Sequence, residues 1–221
     1  SFTTNKSASF SSNTLLATYS SSVVIVNEGE WTENTIDASL PYLHQTVYLF
    51  SLTGTGTVMN NVINCRNCIN VNMTVFNAHN NSLDAYYANN LILATTDKNS
   101  QWSFNDIQAD NAINMQIAVG GTMHHNTFHA TYTTEIISVN LASTGAFVFN
   151  NISAPRAFSM MLLLLGNFSL NTIDANDISE FHSTVRDETA VYFGNDIDLA
   201  AAFIVNISVK NHTSSPIVMD L

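Results

Sequence analysis

Seven asparagines, Asn60, Asn81, Asn105, Asn126, Asn150, Asn171 and Asn195, follow one another at intervals of 21, 24, 21, 24, 21 and 24 residues. A fixed period in this range marks a repeat architecture, in which each unit buries its apolar face only by stacking on its neighbours. The flanking residues keep the same period. Two positions after the anchors stand Val62, Leu83, Ile107, Phe128, Ile152, Ile173 and Ile197, all apolar. Between them and the anchors lie Asn61, Ser82, Asp106, Thr127, Asn151, Thr172 and Asp196, all polar. Four positions after come Asn64, Ala85, Ala109, Ala130, Ala154, Ala175 and Leu199, mostly small. Three positions before come Thr57, Ala78, Trp102, Met123, Phe147, Phe168 and Tyr192, mostly bulky.

Alternation of apolar and polar residues at period two describes a half-buried strand. The inward set lies at odd offsets before the anchor and at even offsets after it, so the phase slips by one residue at the asparagine. Asn tolerates the left-handed backbone conformation and its amide can hydrogen-bond locally, which predicts a one-residue corner at each anchor. Stacked corners would form an amide ladder. The expected fold is therefore all-β, a single-stranded parallel β-helix (β-solenoid) with coils of alternating 21 and 24 residues. At a strand spacing of about 4.8 Å, roughly nine coils would make a rod about 45 Å long.

Residues 31–221 are expected to form the solenoid, and the Ser/Thr-rich segment 1–30 an edge strand, an end cap or a docking arm. The pentapeptide Asn-Thr-Ile-Asp-Ala at 34–38 recurs at 171–175, which places the first clear corner at Asn34. The 26 residues from there to Asn60 predict an enlarged coil, loosened by Gly54 and Gly56. The next anchor in series would be Pro216, where the pattern stops. The longer coils carry their extra residues in polar stretches 96–101, 140–145 and 185–189, which would line up on one ridge as solvated turns or as a binding surface. Apolar strands are expected at 69–76, 113–119 and 158–165. Residues 160–165 are apolar on both faces, which predicts contact with a partner or a terminal arm.

Charge excludes some partners. Six Lys and Arg against seventeen Asp and Glu give a net charge of -11, which disfavours nucleic acid and anionic membrane surfaces, since both bind basic side chains. No apolar run approaches the roughly 20 residues needed to span a bilayer.

Few residues offer chemistry. Cys65 and Cys68 form a C-x-x-C without a second pair for a zinc site, and a disulfide at a coil corner is expected if the chain is secreted, with a turn at Arg66-Asn67. His124, His125 and His129, with Asp106 and Asp110 one coil earlier, could bind a metal or transfer protons. The register places His125 inward, as a hydrogen-bonded core or corner residue. Asp196 and Asp198 point outward and could touch a cation. No catalytic residue, metal or cofactor is assigned on this basis. Sequons occur at Asn5, Asn72, Asn80, Asn151, Asn167, Asn206 and Asn211. Asn72, Asn151, Asn167 and Asn206 are expected to face solvent, with Asn211 a further glycosylation site, whereas Asn80 sits at an inward offset and is the poorest acceptor.

The element Phe-x-x-Asn, as in Phe147-Val-Phe-Asn150 and Phe168-Ser-Leu-Asn171, with variants Trp102-Ser-Phe-Asn105, Met123-His-His-Asn126 and Trp31-Thr-Glu-Asn34, resembles the FxxN repeats of polymorphic outer-membrane proteins and related parallel β-helix adhesins. The resemblance covers about residues 31–210 and implies a right-handed solenoid displayed outside the cell. Other parallel β-helices are polysaccharide lyases and glycoside hydrolases. These group carboxylates with basic residues, whereas Lys6, Arg66, Lys98, Arg156, Arg186 and Lys210 are scattered through different coils. The expected function is accordingly a non-enzymatic extracellular or cell-surface module, structural, filament-forming or adhesive, which self-associates end to end or laterally and could hold glycans without turnover. A carbohydrate-active enzyme is the alternative.

Overall fold

A computed structural model describes residues 1–17, 22–38, 47–186 and 190–209. Every described element is a β-strand, and every pairing between strands is parallel. The chain winds as a three-sided solenoid. In the coil that ends at Asn126, the first side is Asp106–Gln108, the second Asn114–Val119 and the third Thr122–His124. First-side strands of successive coils form a nine-stranded sheet running from Thr14–Leu16 to Asp196–Asp198. The second and third sides join in one 17-stranded sheet, because Val47–Met59 and Cys68–His79 pass between them without a break.

Strict register follows from burial on one face, since a one-residue slip would turn every inward side chain out. Ile107 pairs with Phe128, Phe128 with Ile152 and Ile152 with Ile173, and all four lie in a single internal file, at most 1% exposed. Burying each contributes about 1.5–3 kcal/mol. The file three positions before the anchors is aromatic in the later coils. The rings of Phe147 and Phe168 stack at 5.5 Å and 4°, and Phe168 and Tyr192 at 5.8 Å and 15°. Large and small residues alternate lower down, where Trp102 pairs with Ala78 and its Nε1 donates to the Val75 carbonyl at 3.0 Å.

One anchor needs correction. The anchor expected at Asn60 is Asn61, one of two adjacent asparagines; it stands 27 residues after Asn34 and 20 before Asn81. Val62 is accordingly 51% exposed, and Ile63 takes the internal place, with Val58 and Cys65 in the files assigned to Thr57 and Asn64. Within the segment 1–30, residues 1–17 wind as the end coil of the solenoid and 22–30 belong to the next. Phe2–Thr4, Ser9–Ser11 and Thr14–Leu16 pair in parallel with the coil above, and Asn13 N–H donates to Asn34 Oδ1 at 3.0 Å.

The extra residues of the longer coils fall where a strand of the second side turns into the third, at 96–100 in one coil. In the coil ending at Asn150, one of them lies instead at Thr134–Glu135, ahead of Ile136–Leu141. The segments 187–189 and 210–221, including Pro216 and Asn211, lie outside the described residues.

Candidate functional site

The asparagine corner is built from an unbroken ladder. Oδ1 of each anchor accepts both the backbone N–H and the Nδ2 of the anchor one coil earlier, as Asn126 does from Asn105 at 3.0 and 2.8 Å. The second Nδ2 hydrogen goes to a main-chain carbonyl of the coil before, Trp102 O for Asn126 and Phe147 O for Asn171. From Asn34 to Asn171 each buried amide is thus fully satisfied, which burial requires.

The left-handed residue is not the asparagine but the one before it, contrary to the one-residue corner expected. Glu33, Asn60, Asn80, Phe104, His125, Phe149, Leu170 and Gly194 all have φ between 51° and 61°. The positive φ swings this side chain out of the winding. His125, expected inward, is therefore exposed, and so is Asn80, whose Nδ2 donates to Asn60 Oδ1 at 2.9 Å.

This geometry creates a feature that offset counting missed. From the coil of Asn105 upward, the outward column is mainly apolar, interrupted by His125 and ending at Gly194, with Phe104 at 51%, Phe149 at 49% and Leu170 at 39% exposure, and Phe193 beside it at 54%. His125 lies sandwiched between Phe104 and Phe149, 5.1 Å from each ring and within 18° of parallel. Below, the same column is polar, with Glu33, Asn60 and Asn80. The result is a straight apolar ridge along one edge of the rod.

The histidine cluster divides between two surfaces. His124 and His125 meet at this corner with their Nδ1 atoms 3.0 Å apart. Burial, aided by the nearby His125 and His79 charges, pushes the His124 imidazole below its ordinary pKa. His79 Nδ1 lies 2.7 Å from Ser103 Oγ in the same column. His129 belongs to the first side, where its Nε2 is 3.8 Å from Asp106 Oδ1. Asp110 instead accepts the Thr131 N–H at 2.8 Å. Among the described residues, no three His, Cys, Asp or Glu side chains converge.

The remaining sequence candidates are dispersed. Cys65 and Cys68 are joined in a disulfide across a four-residue turn whose third residue, Asn67, has φ 63°. In other coils the same two places hold alanine pairs, Ala85 and Ala88 or Ala109 and Ala112. The neighbouring Arg66 guanidinium is held above its usual pKa by its bond to Asp84. Asp196 and Asp198 are both exposed, and Asp198 accepts the Ala200 N–H at 3.0 Å. Asn151 and Asn206 are exposed, and Asn72 and Asn167 half-buried. In the stretch 160–165, Met161 is 43% exposed, while Met160, Leu162 and Leu164 are inside. Leu163 and Leu165 line a shallow groove with Ala118, Asn140 and Ala142. No described helix is long and apolar enough to cross a membrane.

The winding, the register and the ladder define the chain as a parallel β-solenoid repeat protein. No family, curated protein or solved structure in the comparisons matches it.

Proposed function

We propose that the chain is a non-enzymatic extracellular solenoid, a structural or adhesive module of the kind the FxxN resemblance implies, which acts through contact surfaces on a rigid rod. The observation that carries this reading is the apolar corner ridge. A left-handed position favours Gly or Asn, and a bulky residue there costs about 1–2 kcal/mol. Asn60, Asn80 and Gly194 meet that preference, whereas Phe104, Phe149 and Leu170 violate it while half exposed. Residues that neither ease the backbone nor fill the core fit a surface that another molecule covers. The Cys65–Cys68 disulfide supports an oxidising compartment.

End-to-end assembly is supported by a second feature. Among the described residues, the strands Phe2–Thr4, Ser9–Ser11 and Thr14–Leu16 pair on one side only, and open strand edges accept a further coil. Sedimentation and negative-stain microscopy of the purified chain test both ideas. Association that rises with concentration and is lost in the variant F104N/F149N/L170N supports the lateral surface, and rods longer than one chain support stacking. Monomers at every concentration, together with release of reducing ends from polysaccharide that D106N or H129S abolishes, would replace this reading with the carbohydrate-active enzyme.

A further inference from the structure

Along a strand, consecutive side chains point to opposite faces, so adjacent histidines ordinarily cannot act together. At the asparagine corner they can. The φ of 55° at His125 turns its side chain to the same surface as His124, and the two Nδ1 atoms come within 3.0 Å. No other described corner sets two imidazoles side by side: His79-Asn80 has one, and Ser103-Phe104, Val148-Phe149 and Ser169-Leu170 have none.

We propose that His124 and His125 form a two-point chelate for a borderline transition-metal cation, Cu²⁺ foremost and Zn²⁺ more weakly, with the remaining coordination positions taken by water. Three observations carry it. The separation of the two nitrogens matches that of neighbouring ligands on one ion, since bonds of about 2.0 Å place adjacent nitrogens roughly 3 Å apart. The sandwich between Phe104 and Phe149 fixes the plane of the His125 ring, so little freedom is lost on binding. His125 is exposed, which gives the ion a path, while His124 is half-buried.

The protons balance simply. In the neutral pair one Nδ1 carries the proton of the hydrogen bond; on binding, that proton moves by way of solvent to the Nε2 of the same ring, so both Nδ1 lone pairs face the cation and no net proton is released. Both imidazoles bind as neutral ligands. Neutral imidazole suits Cu²⁺ and Zn²⁺, and Cu²⁺ binds the more tightly of the two at a given site.

The chain supplies its own substitutes for the test. Asn occupies the His125 position in two other coils, at Asn60 and Asn80, and Ser occupies the His124 position at Ser103 and Ser169. H125N and H124S should therefore fold, which circular dichroism checks. The full chain is titrated with copper sulfate in a weakly coordinating buffer, followed by electron paramagnetic resonance and calorimetry. Wild type is expected to take up one Cu²⁺ with nitrogen hyperfine structure from two imidazoles. Each single variant should weaken binding by roughly tenfold or more, and H129S, which follows Ser153 in its own column, should leave it unchanged. Affinity should fall as the pH drops through the imidazole range. If H124S/H125N binds copper as wild type does, or if wild type binds none, the chelate is overturned.

Discussion

Asn126 donates both its backbone N–H and its Nδ2 to Oδ1 of Asn150, at 3.0 and 2.9 Å. One oxygen thus fixes the neighbouring coil at two points, and the arrangement recurs along the corner from Asn34 to Asn195. Asn126→Ala would remove the acceptor for two donors of Asn105 and the donor to Trp102 O, all of them buried. Unsatisfied buried groups cost about 1–3 kcal/mol each, so urea denaturation should show a loss of about 3 kcal/mol or more. Thr127→Ala, half-buried on the outer surface next door, should change the midpoint little.

Gly121 and Gly120 are adjacent yet opposite in what they tolerate. A Cβ on Gly121 would sit 2.3 Å from the Ser100 carbonyl oxygen and 2.6 Å from that of Asp97, whereas on Gly120 its nearest neighbour would be 3.8 Å away. Gly121→Ala is expected to destabilise by about 1–3 kcal/mol through overpacking against rigid backbone. Gly120→Ala should be neutral, or stabilising by about 0.4–1 kcal/mol through the unfolded chain. Thermal unfolding of the two variants side by side decides the matter.

The same glycine shows what could be read from the sequence and was not. Gly29, Gly56, Gly121, Gly145 and Gly166 each stand five positions before a corner asparagine, where successive coils approach too closely for a side chain. The period was legible because stacking forces equivalent residues to share burial, and for that reason the files through Ile107 and Phe147 could be read directly. The corner was harder. Alternation alone assigns His125 and Asn80 to the interior, and only the left-handed φ, which no periodicity reveals, turns them out. The apolar ridge was hidden by that one-step error. At Asn60-Asn61 the pattern offered two adjacent candidates, and the 20-residue coil chose the second.

The disulfide should matter less than its chemistry suggests. Cys65 and Cys68 are three residues apart, and closing so short a loop stabilises by only about 2 kcal/mol on the chain-entropy account. Their places are filled by alanine pairs in neighbouring coils, so C65A/C68A retains a side-chain pair the fold already uses. The double variant is expected to fold and to lose about 2 kcal/mol or less in urea. A chain that fails to fold without the disulfide would show that this turn, unlike its counterparts, depends on the covalent bond.

Tyr192 gives the stack a pH limit on the alkaline side. Its ring closes the internal column above Phe168, and burial raises its hydroxyl to about 12 from an ordinary value near 10. No hydrogen-bond partner for that hydroxyl lies among the described residues. A raised pKa means that the folded state favours the neutral phenol. Its contribution is therefore fully present below about pH 10 and is lost as the pH rises from there toward 12. Two units correspond to a loss on the order of 2–3 kcal/mol, which should appear as a falling urea midpoint across that window. Tyr192→Phe keeps the stacked ring and removes the unpaired hydroxyl, so it should match or exceed wild type at neutral pH. It should also lose the part of the alkaline decline that belongs to this residue. If wild type and Y192F decline alike between pH 10 and 12, the buried phenol is not what limits the fold there.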